Sequence, residues 1–238
     1  MFSFLNRVFS KKRPITRLIS GTVVRSGYNY AEFHRIREKI VDTLQRQKQK
    51  TVLVVSPHDD AGNTLLVSLL GFNTASFTDM KVLLVDLNMR RPQLHIPFGL
   101  KMEKGFTEVA AGSLNWRETL KDSNLSGLQI MTAGSPVQEL YRHVNQSLIE
   151  GLIHDMKEDF DLILFDSSPV LTRNRNNVDP VLLSAICDMA LMLAQEKKTP
   201  RVELRDAIAA ITDGGGAVSG ILYNKQFEKS LAALIRER

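Results

Sequence analysis

Short apolar runs alternate along this chain with longer segments whose apolar residues recur at helical spacing. Six of the runs are rich in Val, Leu, Ile and Met, and several are apolar throughout, as strands buried on both faces are. The runs predict strands at residues 51–55, 81–86, 128–131, 161–166, 189–194 and 217–223.

The segments between these runs have the spacing of helices. Residues 31–50, for example, carry Phe33, Ile36, Ile40 and Leu44 at spacings of three and four, which is the repeat of one helix face. Helices are predicted at residues 31–50, 64–71, 105–111, 138–157, 178–186 and 200–212. This alternation of strands and helices is typical of an α/β fold with a doubly wound, mostly parallel sheet.

The charge is unevenly spread and separates two regions. Residues 1–50 hold twelve basic and three acidic residues, a net charge of +9, whereas the whole chain carries +5 and the remainder therefore −4. We divide the chain into a basic, partly amphipathic extension at residues 1–30 and a single α/β domain at residues 31–238. In the extension, apolar residues at positions 2–9 precede a basic run at 11–13. Such a segment binds an anionic membrane surface, docks on a protein partner, or is a solvated basic tail.

Other compositional features exclude several classes of protein. The single cysteine, Cys187, excludes an internal disulfide, and the five histidines are too scattered for a typical metal site. No run of 18 apolar residues indicates a transmembrane helix, and the N-terminal pattern differs from that of a signal peptide. The expected location is the cytoplasm.

The segment after the first predicted strand has the form of a nucleotide-binding P-loop. In the pattern GxxxxGK[ST], backbone N–H groups and a lysine hold the phosphates, and the Ser/Thr hydroxyl binds Mg²⁺. Gly62 and Thr64 fit this pattern, but Asn63 stands where the lysine belongs and Pro57 where the first glycine belongs. We expect ATP or ADP with Mg²⁺ to bind weakly or not at all.

Acidic residues lie in and beside this loop. Asp59 and Asp60 place negative charge where a phosphate would lie. Asp86 and Asp166 end the second and fourth predicted strands, and ligands of doubly wound sheets bind at such strand ends. With Thr64 they are the candidate Mg²⁺ ligands, should a nucleotide bind.

Four segments carry a resemblance to a known family. Residues 81–100 closely resemble the KVLLIDxDxRRPxLHxxFGL segment of bacterial tyrosine kinases, which are cytoplasmic domains and partners of polysaccharide co-polymerases. Residues 105–112 resemble that family's GLxDVLxG, and residues 161–171 its YDxIIIDSPPVL, with Ser168 for the first proline. Residues 220–224 resemble GxVLN, which implies that Asn224 lies near the adenine. These kinases are deviant-Walker ATPases, as are MinD and ParA, so the resemblance implies their P-loop fold.

Departures from the family pattern fall on the residues that the resemblance implies are catalytic or at subunit interfaces. Asn88 replaces the second Asp of the pair that begins with Asp86. In the subunit-packing motif ExxRxxR, Glu32 and Arg35 fit, but Glu38 replaces the last arginine. Because this substitution breaks reciprocal charge pairing, we expect a monomer or dimer rather than an octameric ring. The four tyrosines of the chain form no cluster of the kind that these kinases phosphorylate.

Three hypotheses about function remain open at this point. The first is a catalytically degenerate kinase relative that acts as a regulatory or binding subunit in bacterial exopolysaccharide export, peripheral to the membrane and bound to a membrane-embedded co-polymerase. The second is an active ATP-dependent tyrosine kinase or ATPase in which the lysine is replaced by Arg90, by Arg91 or by a residue of a neighbouring subunit. Arg90 and Arg91 are otherwise candidate subunit-interface residues. The third is a ParA-like protein that binds nucleic acid, which the lack of a helix-turn-helix signal and the phenylalanine-rich N-terminus disfavour.

Overall fold

A seven-stranded sheet forms the centre of the protein. The computed structural model describes residues 30–136, 139–172 and 177–224, except for the side chains of residues 30–32 and 141. The strands are β1 (Thr51–Val55), β2 (Val82–Asp86), β3 (Leu120–Asp122), β4 (Leu128–Met131), β5 (Leu162–Asp166), β6 (Met189–Gln195) and β7 (Gly220–Asn224). Their order across the sheet is β3-β4-β2-β5-β1-β6-β7, and every pair is parallel except β3 with β4.

Helices cover both faces of the sheet. They are α1 (Tyr30–Arg46), α2 (Asn63–Phe77), α3 (His95–Phe98), α4 (Phe106–Ala110), α5 (Gln146–Asp159), α6 (Pro180–Ile186) and α7 (Arg201–Asp213), with 3₁₀ helices at Trp116–Thr119 and Leu140–Arg142. Among the described residues no helix is both long and apolar enough to cross a bilayer.

The core has two layers because β1, β2 and β5 are buried along their whole length. On one face, Val54 and Leu84 pack with Leu44 of α1 and Leu70 of α2. On the other face, a separate cluster joins the strands to α4, α5, α6 and α7, with Phe106, Ile153, Leu183 and Ala207 among its members. This double burial is why the strands are apolar throughout, and the predicted α/β class with a mostly parallel sheet is confirmed.

Several predicted boundaries were wrong. The predicted helix 138–157 begins at Gln146, because the Asn145 side chain accepts a hydrogen bond from the Leu148 N–H at 2.9 Å and caps it there. Helix α2 continues past its predicted end at Gly71, since this glycine lets the helix approach Leu84 of β2. The antiparallel edge strand β3 was missed, because its three residues show no apolar run. The predicted division between residues 1–30 and 31–238 stays a prediction, since residues 1–29 lie outside the described part.

Gly105 fixes the start of α4 against the end of β4. A Cβ atom added to Gly105 would lie 2.1 Å from the Thr132 carbonyl oxygen and 2.4 Å from the Gly134 backbone nitrogen. Backbone atoms at that position cannot move aside, and the N–H of Phe106 already donates to the same Thr132 oxygen at 2.9 Å. The first glycine of the 105–112 segment is therefore required for packing.

We expect Gly105→Ala to lower the free energy of unfolding by about 1–3 kcal/mol, because the added methyl group overpacks a backbone contact. Gly151→Ala is the matched control: this exposed glycine in α5 has open space around the added Cβ. Since alanine favours a helix, the control should stabilise the protein by about 0.5–1 kcal/mol. Urea unfolding of both variants measures the two changes, and equal values would contradict the packing argument.

Candidate functional site

The carboxyl ends of five neighbouring strands bring most of the sequence-predicted residues together. Asp86 and Asp166 end β2 and β5 and lie directly opposite each other in the register of the two strands. The P-loop segment, residues 56–64, follows β1, which lies between β5 and β6. A cavity of about 60 Å³ opens here, and its lining includes Gly62, Asn63, Thr64, Asn88 and Arg91.

Asp86 is fully buried and shapes the loop that follows β2. One carboxylate oxygen accepts the backbone N–H of Asn88 at 3.1 Å, and the other accepts those of Gln93 at 3.1 Å and Leu94 at 3.0 Å. Burial raises the pKa of Asp86 to about 7, although the three backbone hydrogen bonds act in the opposite direction. Asp86 thus organises residues 88–94.

Asp166 is also fully buried and binds the start of α2. Its Oδ2 accepts the Thr64 hydroxyl at 2.5 Å, whereas its Oδ1 is buried with no hydrogen-bond partner. Burial raises the pKa of Asp166 well above its ordinary value, the negative charge of Asp86 raises it further, and the Thr64 hydrogen bond lowers it. The pKa values of these two adjacent carboxyl groups are therefore both raised above that of an ordinary aspartate.

Asn63, at the lysine position, is turned back onto the loop. Its side-chain N–H donates to the Ser56 hydroxyl at 3.0 Å, and that hydroxyl donates to the His58 carbonyl at 2.9 Å. The Asn63 side chain is buried, and its Oδ1 has no hydrogen-bond partner. The neutral amide closes the loop and provides no charge for a phosphate.

Side chains from β6 and β7 hold the loop backbone from the other side. The Asn224 amide donates to the Ala61 carbonyl at 2.9 Å, and the Gln195 amide donates to the Asp60 carbonyl at the same distance. Gly62 adopts φ 103°, and a Cβ atom there would lie 2.9 Å from the Asn224 amide nitrogen. Asn224 thus contacts the loop itself. Gln195 was missed by sequence reasoning, and its position at the end of a central strand was the available signal.

The two loop aspartates form ion pairs with the two arginines that follow β2. Arg90 lies 2.9 Å from Asp59, and Arg91 lies 3.3 Å from Asp60. The Asp59 pair is about 70% buried on both sides, whereas the Asp60 pair is half exposed. The structure therefore places Arg90 and Arg91 at the loop, and their role at a subunit interface stays a prediction.

Asn88 lines the same cavity and supports the arginine loop. Its side-chain oxygen accepts the Arg91 backbone N–H at 3.2 Å, and its own backbone N–H donates to Asp86. An amide cannot act as a base or bind a cation as a carboxylate does. Asn88 therefore has a structural contact in this loop, and the loss of the catalytic role that the family pattern implies stays a prediction.

Helix α1 carries the remnant of the subunit-packing motif away from the cavity lining. Arg35 is exposed, and Glu38 is exposed with its carboxylate 3.4 Å from the Arg37 guanidinium. The side chain of Glu32 lies outside the described residues. The interface role of Glu32 and Arg35 stays a prediction.

A nucleotide with Mg²⁺ fits this arrangement only in part. Thr64 and Asp166 are joined by a hydrogen bond at the start of α2, as a Mg²⁺ site would need, but the neutral Asn63 adds no positive charge and the two loop aspartates occupy the nearby arginines. A cavity of about 60 Å³ is small beside the roughly 300–1,000 Å³ of typical ligand pockets. In the described part of the chain, no three His, Cys, Asp or Glu side chains cluster closely enough to hold a metal ion.

The buried carboxyl pair predicts an unusual pH dependence of stability. Because the pKa of Asp86 rises from 3.8 to about 7 on folding, its stabilising contribution is complete below about pH 4 and is lost as the pH rises through 7. We expect Asp166→Asn to raise the free energy of unfolding at pH 8 by roughly 1–3 kcal/mol, since it removes a buried, half-satisfied carboxylate and keeps an acceptor for Thr64.

Chemical denaturation of the wild type and this variant between pH 4 and pH 8 measures the effect, and the variant should show the flatter profile. Asp213→Asn, at an exposed position at the end of α7, is the control and should follow the wild type. A stability difference between Asp166→Asn and the wild type that does not grow from pH 4 to pH 8 would contradict the raised pKa of the carboxyl pair.

Comparisons with known proteins give sequence relatives and the fold. No family model matches the chain. It is 24% identical over 189 residues to the tyrosine-protein kinase ptk of Acinetobacter johnsonii, covering 79% of this chain but 25% of that kinase. It is 22% identical over 194 residues to the putative tyrosine-protein kinase CapB of Staphylococcus aureus, covering 82% of this chain and 83% of CapB.

Solved structures give the fold. The kinase domain of the Escherichia coli tyrosine kinase ETK superposes with a TM-score of 0.76 at 19% identity, covering 83% of this chain and 76% of that domain. The septum site-determining protein MinD of Pyrococcus horikoshii, solved with Mg-ADP, superposes with a TM-score of 0.63 at 17% identity, covering 76% and 72%. The chain is thus a sequence relative of the bacterial tyrosine kinases, with the fold that their kinase domains share with MinD-like P-loop ATPases.

Proposed function

We propose that this protein is a catalytically degenerate relative of the bacterial tyrosine kinases that acts as a regulatory or binding subunit in bacterial exopolysaccharide biosynthesis and export. One observation carries the proposal: the residue at the lysine position of the P-loop, Asn63, is neutral, buried and bonded to Ser56 of the same loop. The fold of the kinases is kept, but the side chain at the lysine position stabilises the loop instead of facing a phosphate.

The free energies of the missing contacts favour a loss of catalysis over a weakened enzyme. A charge-assisted contact to a phosphate contributes roughly 1.5–3 kcal/mol, or about ten- to a hundredfold in affinity. Its loss costs more in the transition state of phosphoryl transfer, where charge builds on the transferred group. The replacement of a carboxylate by Asn88 adds a second loss at the same site. An active kinase would need Arg90 or Arg91 in the lysine's role, and both are paired with aspartates.

The proposed partner is a membrane-embedded polysaccharide co-polymerase, with the protein at the cytoplasmic face of the membrane. The support for this partner is the resemblance of residues 81–100 to bacterial tyrosine kinases, which are cytoplasmic domains and partners of such co-polymerases. The basic extension, whose first 29 residues lie outside the described part, is proposed to contact anionic lipid or an acidic partner surface. Helix α1, with its exposed Arg35, is one proposed contact face.

Wild-type protein should bind ATP and ADP with Mg²⁺ weakly or not at all in calorimetric titration, and should not phosphorylate tyrosine. Asn63→Lys combined with Asp60→Gly should bind ATP at least tenfold more tightly, because it restores a phosphate-binding cation and removes an opposing carboxylate. Glycine also suits position 60, where φ is 66°.

Asn63→Gln with Asp60→Gly is the matched control, since it lengthens the side chain without adding charge. It should gain less affinity than the lysine variant. Micromolar ATP affinity of the wild type, together with tyrosine autophosphorylation, would contradict the proposed function. A folded lysine variant that gains no affinity would show that the frame itself is not a nucleotide site.

The state of assembly tests the argument about α1. We expect monomers or dimers in light scattering, because Glu38 replaces an arginine and contacts Arg37 in its own helix. Glu38→Arg should shift the protein toward larger assemblies at high concentration, whereas Glu38→Gln, which removes charge without reversing it, should shift it less. A stable wild-type octamer would refute the charge argument.

A further inference from the structure

Two ion pairs join the P-loop to the neighbouring loop after β2, and we propose that they form an internal lock in which Asp59 and Asp60 stand in for a phosphate-bearing ligand. The guanidinium groups of Arg90 and Arg91 are the cations that such a ligand would otherwise engage. This inference rests on the proposed function and concerns the regulation of the same site.

The lock consists of two ion pairs that join the P-loop to the loop after β2. Asp59 and Asp60 are adjacent, as are Arg90 and Arg91, and the pairs measure 2.9 Å and 3.3 Å. Asp60 adopts φ 66°, a left-handed conformation that is uncommon for aspartate. The backbone N–H of Arg90 also donates to Asn177 at 2.8 Å, which anchors the arginine loop at its base.

Neutral hydrogen bonds fix the rest of the P-loop backbone. The N–H of Val170 donates to the Ser56 carbonyl at 2.9 Å, and that of Leu171 to the Pro57 carbonyl at 3.1 Å. Gln195 and Asn224 hold the carbonyls of residues 60 and 61. An anion cannot compete for these carbonyl contacts, but it can compete for the arginines. A charged ligand would therefore loosen the loop by breaking the two ion pairs rather than the neutral hydrogen bonds.

The charges and the helix geometry specify the ligand class. The charges of the two aspartates and two arginines sum to zero, so neutralising the aspartates would leave two guanidinium groups without these partners at the loop, and that of Arg91 lines the cavity. Arginine forks match phosphate oxygens in geometry. Helix α2 starts at this cavity and has 15 residues. No side chain of the described residues caps its N-terminus, so the N–H groups of its first turn add to the attraction for an anion. A polyphosphate group fits these features.

The test is calorimetric titration of the full-length protein with pyrophosphate at low ionic strength. Asp59→Asn with Asp60→Asn should bind pyrophosphate roughly ten- to a hundredfold more tightly than the wild type, because two arginines become available. Asparagine is chosen because it tolerates the left-handed conformation at position 60.

Asp42→Asn with Asp159→Asn is the matched control. These aspartates pair with Arg46 at 2.9 Å and Arg117 at 2.7 Å and do not line the cavity, so the variant has the same change in net charge and frees two arginines elsewhere. It should bind pyrophosphate as the wild type does. Adding Arg90→Gln and Arg91→Gln to the loop variant should abolish the gain.

A loop variant that binds no more tightly than the control overturns the lock, and so does a gain that survives removal of both arginines. If circular dichroism shows that the double variant does not fold, Asp60→Asn alone is compared with Asp159→Asn, and an absent gain is again a refutation. If the wild type binds pyrophosphate weakly and the loop variant binds it no more tightly, the lock is refuted and the proposed function is unaffected. Unchanged surface polysaccharide after loss of the protein contradicts the proposed function and leaves the lock standing.

Discussion

The burial of two carboxyl groups side by side at the edge of the sheet is the constraint on which the site depends. Asp86 and Asp166 face each other across adjacent parallel strands, and neither is exposed. Asp86 gathers three backbone N–H groups and so bends the loop that carries Arg90 and Arg91. Asp166 receives the Thr64 hydroxyl and so fixes the first turn of α2. Each of the two loops thus takes its position from one of these carboxyl groups.

The burial of these groups has a cost that the surrounding structure offsets unequally. Asp86 is compensated by hydrogen bonds to both oxygens, whereas one oxygen of Asp166 receives no hydrogen bond from the described residues. Proton uptake offsets part of the cost, since burial raises the pKa of both groups.

The sequence predicted the sheet better than it predicted the loops. Strands buried on both faces have apolar runs that a reader can find without a structure, and six of the seven strands were found in this way. Strand β3 was not predicted, because its three residues, one apolar and two charged, are too few to show a strand pattern. The strand-end positions of Asp86, Asp166 and Asn224 were also predictable, because parallel strands end at one edge.

Pairings between loops could not be predicted. The contacts of Asn63 with Ser56 and of Asp59 with Arg90 depend on the conformation of the loops. That conformation leaves no periodic pattern in the sequence. The strand-end position of Gln195 could be read from the sequence, but its partner could not, since that partner is a backbone carbonyl far away in sequence. The resemblance to kinases indicated roles for these positions, but the side-chain contacts that replace those roles are visible only in three dimensions.

A loop whose shape is fixed by hydrogen bonds from protein side chains also differs from an ordinary P-loop in how it responds to nucleotides. In a nucleotide-driven switch, the shape of the loop follows the ratio of ATP to ADP, and complexes assemble and separate in cycles. The hydrogen bonds from Asn63, Gln195 and Asn224 depend on no metabolite. Under the proposed function, assembly through this surface would follow the amount of protein in the cell rather than its energy supply, unless a phosphate-bearing ligand opens the two ion pairs of the lock.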